Sequence, residues 1–480
     1  MMLLAKAAQV LGARLILATQ SKSTCFDAVC TDTRQLKQGD LYVALRGELF
    51  DGADFIEQAA ANGAVAAMVN QDVELKIQNV AIPLILVPDT RLALGKLAAY
   101  WRSKFDIPLV AITGSNGKTT VKEMLASILR VAAGSDEAVL ATQGNLNNDI
   151  GMPLTLLKLN DRHRYAVIEM GMNHPGEIDY LSRIACPTAV LITNASGAHL
   201  EGMGSVKAVA EAKGEIFAGM RHEGSALINA DDEYAALWRG LAGVHSTLEF
   251  GLNNEADVTG TWYPHADGLR LIARTPQGDF TVDMQVPGEH NARNALAATA
   301  AAIELNLTLL SIVTGLEKFS GVAGRLQRKQ ARCGAVLIDD TYNANPASLH
   351  AAIAVLAQTT GHRILVLGDM GELGEDAAVF HAGIGEIARQ SGIETLYTLG
   401  ELSRFAAEKF GSGAQHFDSM DALNAALEVR LSPDMTVLVK GSRFMKMERT
   451  VKYLVGSKSK VTSECVVPQP SLTLSHFQVN

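Results

Sequence analysis

Gly114, Gly117, Lys118 and Thr119 form a closely spaced set with the chemistry to bind a nucleoside triphosphate. Two glycines let backbone N–H groups turn around a phosphate, a lysine reaches the outer phosphates, and a threonine hydroxyl is a ligand for Mg²⁺. The usual pattern has a further glycine where this chain has Ile112. We therefore interpret the segment as a shorter phosphate-binding loop, the alternative being a chance glycine-rich turn.

Four further polar residues occupy positions in which they could bind a ligand or take part in catalysis. Glu169 and Asn194 each end a β-rich run, and a carboxylate in that position is either a Mg²⁺ ligand or a simple strand-end charge. His199 lies just past a strand, and a lone histidine is ordinarily structural. Lys213 interrupts an apolar helical pattern and on its own would be a surface lysine with its stem on apolar surface.

Two more segments carry polar residues at turn-like positions. Asn145-Leu-Asn-Asn148 is rich in amides and either faces a substrate or forms a turn. Asp32 and Arg34, in Thr31-Asp-Thr-Arg34, either bind a ligand or form a solvated ion pair. The pattern alone leaves both alternatives open.

The elements that must position these residues are those of a doubly wound sheet. Residues 109–112 predict a buried strand and residues 121–131 a helix, so the glycine loop lies between a strand and a helix. In such sheets ligands lie outside the carboxyl ends of the strands. We therefore expect Glu169, Asn194 and the phosphate-binding loop to meet in one crevice.

The fold class predicted is α/β with about three domains, given the length of 480 residues. Residues 1–86 read as a small N-terminal α/β module. Residues 87–322 read as a central P-loop domain with a parallel sheet and an antiparallel excursion near 253–287. Residues 323–456 alternate strands (335–338, 363–367, 395–399 and 436–439) with helices, which predicts a Rossmann-like domain. Residues 457–480 are expected to be a disordered tail.

The amino-acid composition disfavours some classes of function and location. There are 42 Lys and Arg residues against 51 Asp and Glu residues, a net charge of −9, with no basic stretch, which disfavours binding to nucleic acid. The five cysteines are scattered, which suits a reducing, cytoplasmic location. No run approaches the ~18 uninterrupted apolar residues of a membrane span.

Nine ordered motifs resemble those of the Mur ligases, and the similarity spans about residues 25 to 450. They are Thr113-Gly-Ser-Asn-Gly-Lys-Thr-Thr120, Gly144-Asn-Leu-Asn-Asn-Asp-Ile-Gly151, Val167-Ile-Glu-Met-Gly171, His199-Leu-Glu, Ala212-Lys-Gly-Glu215, His290-Asn-Ala-Arg-Asn294, Gly324-Arg-Leu326, Asp340-Thr-Tyr-Asn-Ala-Asn-Pro346 and Leu367-Gly-Asp-Met370. Within this family the chain is most similar to the members that join D-alanyl-D-alanine to UDP-N-acetylmuramoyl-tripeptide.

The resemblance implies a role for each candidate residue. ATP would be held by Gly114, Ser115, Asn116, Gly117, Lys118, Thr119, Thr120, Asn291, Arg325, Asp340, Tyr342 and Asn345. Two Mg²⁺ ions would be held by Thr119, Glu169, His199 and Lys213, the last as a carbamate, and Lys118, Lys213 and His199 would be catalytic. Asp32, Thr33, Arg34 and Arg46 would grip the uridine diphosphate, Asn145, Asn147 and Asn148 would face the sugar-peptide, and Lys440, Ser442 and Arg443 would hold the dipeptide or the peptide end.

The implied reaction is an ATP-dependent amide ligation through an acyl phosphate, in a monomeric protein. Two alternatives remain open at this point: a folylpolyglutamate synthetase-like ligase, and a P-loop regulatory NTPase without ligation. The third residue of the peptide substrate, diaminopimelate or lysine, is also open. We expect hinge motion near residues 320–325, because nucleotide ligands would come from both the second and the third domain.

Overall fold

The computed structural model describes residues 1–16, 23–73, 81–197, 200–265 and 268–456, without the side chains of residues 200 and 201. Its strands form three main sheets, one for each predicted domain, and helices cover them, so the prediction of three α/β domains is confirmed. The predicted disordered tail, residues 457–480, and His199 lie outside the described residues.

The first sheet belongs to the N-terminal module, and its strand order is β2-β7-β6-β5-β4. Strands β4 to β7 are parallel, and β2 pairs antiparallel with β7. The elements are β1 (Met2–Leu3), α1 (Leu4–Leu11), β2 (Arg14–Ile16), β3 (Cys25–Phe26), β4 (Ala28–Cys30), β5 (Asp40–Val43), α2 (Ile56–Ala61), β6 (Ala66–Asn70) and β7 (Leu84–Val87). Strands β5 to β7 are almost entirely buried and mostly apolar, as strands covered on both faces require, whereas the edge strand β4 is more exposed.

The central sheet has the order β16-β15-β14-β13-β12-β11-β8-β10-β9. Its elements are α3 (Thr90–Arg102), β8 (Leu109–Thr113), α4 (Lys118–Ala133), β9 (Val139–Ala141), α5 (Gly151–Leu156), β10 (Tyr165–Glu169), α6 (Glu177–Ala185), β11 (Ala189–Ile192), α7 (Leu200–Met203), α8 (Val206–Gly214), β12 (Ser225–Asn229), α9 (Ala235–Ala242), β13 (Ser246–Gly251), β14 (Val258–His265), β15 (Gly268–Thr275), β16 (Gly278–Met284), α10 (Glu289–Glu304) and α11 (Leu309–Lys318).

Two helical layers cover this central sheet. Helices α4, α10 and α11 pack on one face, and α3, α5, α6, α8 and α9 pack on the other. Strands β14 to β16 pair antiparallel, which is the predicted excursion. Helices α1 and α3 share one apolar core, so the division at residue 86 stays a prediction.

The third sheet has the order β17-β18-β22-β19-β20-β21, parallel except for β17. Its elements are β17 (Gln327–Gln330), β18 (Val336–Asp340), α12 (Pro346–Ala357), β19 (His362–Gly368), α13 (Ala377–Gln390), β20 (Thr395–Leu399), α14 (Ser403–Phe410), β21 (Ala414–Phe417), α15 (Met420–Arg430), β22 (Met435–Lys440) and α16 (Glu448–Val455). The last strand in sequence, β22, inserts between β18 and β19. This insertion creates a crevice at the carboxyl ends of those strands, where ligands bind in doubly wound sheets.

Candidate active site

The phosphate-binding loop joins β8 to α4, and two of its positions accept glycine alone. Gly114 has a φ of +148°, and a Cβ there would lie 1.8 Å from Oγ1 of Thr193. Gly117 has a φ of +84°, and a Cβ there would lie 2.5 Å from Oδ1 of Asn294. Both contacts are far inside van der Waals distance, so the loop owes its shape to the two glycines.

Asn194, at the carboxyl end of β11, shapes the loop from the side. Its backbone carbonyl accepts the N–H of Ser115 at 2.9 Å, and its Oδ1 accepts the N–H of Asn116 at 3.0 Å. Its side-chain amide donates to the carbonyl of Asn116 at 3.0 Å. The neighbouring strand ends therefore meet at the loop, as the position of ligands in doubly wound sheets predicts.

Glu169, at the end of β10, faces the first turn of α4. Its Oε2 accepts the hydroxyl of Thr119 at 2.9 Å, and its Oε1 accepts the side-chain amide of Asn147 at 2.8 Å. The backbone N–H of Glu169 donates to Oγ1 of Thr142 at 2.9 Å. The carboxylate and the Thr119 hydroxyl present adjacent oxygen atoms, which are the ligands that Mg²⁺ prefers.

The described part of the chain contains no cluster of three or more His, Cys, Asp or Glu side chains placed to hold a metal. Mg²⁺ at nucleotide sites is commonly held by one or two carboxylates together with substrate phosphates and water, so Glu169 and Thr119 fit such an ion. His199, the predicted ligand of a second ion, lies outside the described residues.

Two lysines lie in or near the loop, Lys118 half-buried and Lys213 buried. Nζ of Lys118 donates to the carbonyl of Gly114 at 2.6 Å. Burial lowers the pKa of Lys118, and the positive charge of Arg325 lowers it further, while Glu169 acts in the opposite direction. Lys213, on α8, is 2% exposed. Its pKa is well below the ordinary value because of burial, with a further contribution from the charge of Lys118.

The third domain reaches the loop through Arg325 and Asn345. Nη2 of Arg325 donates to Oγ1 of Thr119 at 3.2 Å, and the guanidinium lies 4.2 Å from the ring centroid of Tyr342. Nε of Arg325 is buried and has no hydrogen-bond partner among the described residues. The side-chain amide of Asn345 donates to Oδ1 of Asn116 at 2.9 Å. Side chains of two domains thus meet at the hydroxyl of Thr119 and at the loop.

Asp340 and Lys440 form a buried ion pair at the neighbouring strand ends β18 and β22. Nζ of Lys440 donates to Oδ2 of Asp340 at 2.5 Å and to the carbonyl of Asn343 at 2.9 Å. Oδ1 of Asp340 accepts the N–H of Leu326 at 3.1 Å. Burial raises the pKa of Asp340, while the charges of Lys440 and Arg325 oppose the rise.

Ser442 and Arg443 follow β22 on the same wall. The hydroxyl of Ser442 donates to the carbonyl of Ala344 at 3.2 Å and accepts the N–H of Gly371 at 2.9 Å. Arg443 is exposed and pairs with Glu448 at 3.3 Å. Ser442 therefore joins two loops of the third domain, and Arg443 is the more accessible of the two.

Asn291 and His290 open helix α10 on the opposite wall. The side-chain amide of Asn291 donates to the carbonyl of Pro287 at 2.8 Å, and Oδ1 of Asn291 lies 3.3 Å from the side-chain amide of Asn294. Burial, with the nearby charges of Lys440 and Arg293, lowers the pKa of His290 to about 4. His290 is therefore neutral at pH 7.

A cavity of about 1850 Å³ separates the central and third domains and gathers most of the predicted site residues. Its lining includes Ser115, Asn116, Gly117, Lys118, Thr120, Asn145, Asn147, Asn148, Glu169, Asn291, Arg325, Asp340, Tyr342, Asn345, Lys440, Ser442 and Arg443. Asn148 also shapes the turn that precedes α5, because its Oδ1 accepts the N–H of Gly151 at 2.9 Å. Asn148 therefore takes part in a turn and also lines the cavity, so the two interpretations of residues 145–148 are compatible at this residue.

Asp32, Thr33, Arg34 and Arg46 lie at the carboxyl edge of the first sheet, apart from the lining of this cavity. Arg34 donates to both carboxylate oxygens of Asp32, at 2.9 and 2.8 Å, and thereby lowers the pKa of Asp32 to about 2. Thr33 donates to Gln58 at 3.1 Å, and Arg46 pairs with Asp51 and Asp72. These contacts do not test whether the four residues bind uridine diphosphate, so that role remains a prediction.

Sequence reasoning assigned no role to several polar residues of the site: Thr193, Ser196, Asp231, Asp232, and the motif residues Arg293 and Asn294. Two of them, Asp231 and Asp232, follow β12, a strand that was not predicted. The signal was present, since residues 225–229 are a short apolar run with polar ends. Asp232 accepts the N–H of Ala195 at 2.9 Å and lies near enough to Lys213 for its charge to raise the pKa of that amine.

A P-loop sheet and a second doubly wound sheet that reaches over its phosphate-binding loop give the chain a P-loop site shared between two domains. Three family models match the chain: "Mur ligase family, catalytic domain" at residues 26–102, "Mur ligase middle domain" at residues 112–302, and "Mur ligase, glutamate ligase domain" at residues 324–443. The chain belongs to the Mur ligase family.

Individual relatives agree with this assignment. The UDP-N-acetylmuramoyl-tripeptide–D-alanyl-D-alanine ligase of Escherichia coli is 42% identical over 439 residues, which cover 91% of this chain and 95% of that protein. A solved UDP-N-acetylmuramoylalanyl-D-glutamyl-2,6-diaminopimelate–D-alanyl-D-alanyl ligase from Acinetobacter baumannii is 36% identical, with a TM-score of 0.83 and coverage of 94% and 98%. MurF ligase from Thermotoga maritima, solved with ADP, is 27% identical, with a TM-score of 0.78 and coverage of 90% and 97%.

Proposed function

We propose that the chain is an ATP-dependent ligase that joins D-alanyl-D-alanine to UDP-N-acetylmuramoyl-tripeptide and releases ADP and phosphate. The observation that carries this proposal is the convergence on Thr119, where Glu169 of the central domain and Arg325 of the third domain both bond to its hydroxyl. A site shared between two domains suits a reaction that must bring ATP, a carboxylate and an amine together.

The proposed reaction has two steps. An oxygen of the terminal peptide carboxylate attacks the γ-phosphorus of ATP, the bond to ADP breaks, and an acyl phosphate forms. The amine of D-alanyl-D-alanine then attacks the acyl carbon and loses a proton, and inorganic phosphate leaves with the bonding electron pair. The first step brings two anions together, so positive charge at the γ-phosphate is required.

Residues of this chain supply that charge and orient the reactants. Arg325 bonds to Thr119, the neighbour of Lys118 in sequence, and the lowered pKa of the Lys118 amine would rise as phosphate oxygens replace its bond to Gly114. Mg²⁺, when bound by Thr119 and Glu169, would neutralise phosphate charge. We propose two ions, the second with His199 as a ligand.

We propose that Lys213 carries a carbamate. Its neutral amine attacks CO₂, a C–N bond forms, and one proton is released, which leaves an anion that can face a metal ion. The low pKa of Lys213 supports this step, because the neutral amine is the reactive form. As an ammonium the same side chain would repel both a metal ion and Lys118.

The remaining assignments follow the resemblance. We propose that Asp32, Thr33, Arg34 and Arg46 bind uridine diphosphate, that Asn145, Asn147 and Asn148 face the sugar-peptide, and that Lys440, Ser442 and Arg443 hold the dipeptide or the peptide end. We further propose domain divisions at residues 86 and 322, a monomeric protein, and a cytoplasmic role in peptidoglycan precursor synthesis on which cell shape and division depend. Among the described helices, none is long and apolar enough to cross a membrane.

The decisive assay measures ADP release with UDP-N-acetylmuramoyl-tripeptide and D-alanyl-D-alanine together, and then with each omitted. We expect turnover only when both are present, with one amide product per ADP. A folate substrate extended by glutamate would establish the folylpolyglutamate alternative. ADP release that continues at the same rate when either substrate is omitted would instead establish a regulatory NTPase.

A further inference from the structure

A polar cluster on the cavity wall takes no part in the mechanism above. Arg91, in the first turn of α3, donates from Nη2 to Oδ1 of Asp149 at 2.7 Å, and both side chains line the cavity. Arg91 is 57% exposed and Asp149 is 26% exposed. An exposed ion pair of this kind contributes little stability, so a ligand can replace it at small cost.

Tyr180, on α6, completes the cluster and is incompletely bonded. Its hydroxyl is buried and has no hydrogen-bond partner among the described residues, although the residue lines the cavity. Helix α3 makes room for it with Gly95, where a Cβ would lie 2.1 Å from the hydroxyl oxygen. Burial, with the charges of Asp149 and Asp89, raises the pKa of Tyr180, so the hydroxyl remains a donor. A buried donor without a partner requires an explanation, and a bound ligand supplies one.

The cluster lies close to the reacting centre. Asp149 is two residues after Asn147, whose amide bonds to the carboxylate of Glu169 at 2.8 Å. Two residues span at most about 7 Å, so the backbone of Asp149 lies within that distance of the backbone of Asn147, the residue that contacts Glu169 beside Thr119. In the proposed reaction, the residue that carries the reacting carboxylate must lie at that position, with its own side chain extending outward.

We propose that Arg91, Asp149 and Tyr180 form a subsite for the side chain of the third peptide residue, and that it selects a side chain ending in both an ammonium and a carboxylate, as in diaminopimelate, over one ending in an ammonium alone, as in lysine. This proposal rests on the proposed function. The guanidinium and the tyrosine hydroxyl bind the carboxylate, and Asp149 binds the ammonium. A lysine side chain would bring its ammonium to Asp149 and leave Arg91 facing a like charge.

The test compares kcat/KM for the two UDP-N-acetylmuramoyl-tripeptides, with diaminopimelate or with lysine as third residue. We expect the wild type to prefer the diaminopimelate substrate by roughly 10- to 100-fold, the effect of one charged hydrogen-bonded pair. Arg91→Met should remove that preference by lowering turnover of the diaminopimelate substrate alone. Tyr180→Phe should lower the preference for the diaminopimelate substrate about fivefold. It should not lower the melting temperature, because the hydroxyl has no partner to lose.

Arg183→Met is the matched control. Arg183 is also an exposed arginine, on α6, and pairs with Asp179, apart from the cavity lining. This variant should keep the wild-type substrate ratio, and all the variants should bind ADP as the wild type does. The substrate ratio is the informative readout, since a structural defect would lower both rates together.

Three outcomes overturn the proposal. Equal kcat/KM for the two substrates in the wild type would show that no such selection exists. An equal loss for both substrates in Arg91→Met would assign Arg91 to a part of the substrate that both share. Turnover of neither substrate by the wild type would overturn the proposed function and the subsite with it, whereas turnover without preference would leave the function standing.

Discussion

Asn345 performs two tasks with the two atoms of one amide, and substitution can separate them. Its Oδ1 accepts the N–H of Ser348 at 2.8 Å and so caps α12, while its Nδ2 donates to Oδ1 of Asn116 in the phosphate-binding loop at 2.9 Å. Asn345→Ala removes both bonds. Asn345→Asp keeps the acceptor that caps the helix and removes the donor that reaches the loop.

The expected magnitudes differ for the two tasks. Loss of an N-cap costs about 1 kcal/mol, so Asn345→Ala should lower the free energy of unfolding of the third domain by that amount, whereas Asn345→Asp should leave it unchanged. Loss of the bond to Asn116 should weaken nucleotide binding by about 1 kcal/mol, or roughly fivefold, in both variants. The substituted carboxylate also repels a triphosphate, so Asn345→Asp should bind ATP more weakly than Asn345→Ala.

The side-chain amide of Asn116 donates to Oγ of Ser196 at 2.9 Å. A flip of that amide would turn its nitrogen toward the new carboxylate, and the Ser196 hydroxyl would then donate to the Asn116 oxygen. The repulsion between the carboxylate and the triphosphate is the part of the expected loss that such a flip does not remove.

Two measurements suffice: urea unfolding for stability, and calorimetric titration with ATP for binding. Ser348→Ala is the control, because the Ser348 hydroxyl accepts the N–H of Asn345 at 3.0 Å and completes the capping box without contacting the loop. It should lower stability and leave ATP affinity almost unchanged. Wild-type ATP affinity in Asn345→Asp would refute a nucleotide role for the contact between Asn345 and Asn116.

Three further predictions concern the loop and its surroundings. Gly117→Ala should abolish ATP binding because its Cβ would meet Asn294, whereas Gly134→Ala, also at positive φ but with nothing within 4 Å, should bind ATP normally in the same titration. Lys213→Ala should abolish ligation while ADP still binds, and ¹³CO₂ should give a carbamate signal in the wild type that this variant lacks and that fades as pH falls. The pKa of His290 is about 4 in the folded protein, below its unfolded value, so the stability that neutral His290 preserves is fully present above about pH 6.5 and is lost as the pH falls toward 4. Measured by urea unfolding, the wild type should therefore lose stability over that pH range relative to His290→Gln.

The parts of the fold that the sequence predicts well are those with local signals. The strand, glycine loop and helix at residues 109–131 are confirmed as β8, the loop and α4. The four predicted strands of the third domain are confirmed as β18, β19, β20 and β22. In each case an apolar run long enough to cross a sheet ends in glycine or polar residues, and this pattern is legible without tertiary information.

The unpredicted strands lack such signals. Strand β9 has three residues, and β13 starts with two exposed polar residues at Ser246 and Thr247. Their strand character depends on pairing with β10 and β12, which is tertiary information. Asp231 and Asp232 were missed for a different reason: they follow β12, whose short apolar run gives a local signal that was not recognised as a strand.

Arg325 illustrates the limit most clearly for the site. It lies 206 residues from Thr119 in sequence, and only the position of the third domain brings its guanidinium to the threonine hydroxyl. Spacing alone assigns no role to such a residue, since any exposed arginine beside glycines would have the same local pattern. A resemblance to known proteins was therefore necessary to single it out.

The contact between Arg325 and Thr119 also links domain position to chemistry. Several polar groups of the site bond to one another: Lys118 to the loop carbonyl of Gly114, and Thr119 to Glu169 and Arg325. A triphosphate would replace these internal bonds with bonds to its phosphate oxygens. Its binding would therefore leave no buried charge without a partner. Because Arg325 contacts Thr119 from the third domain, we predict that the arrangement which brings these two residues together also limits the access of water to the phosphate site. An acyl phosphate hydrolyses readily, so this coupling would protect the proposed intermediate until the amine arrives.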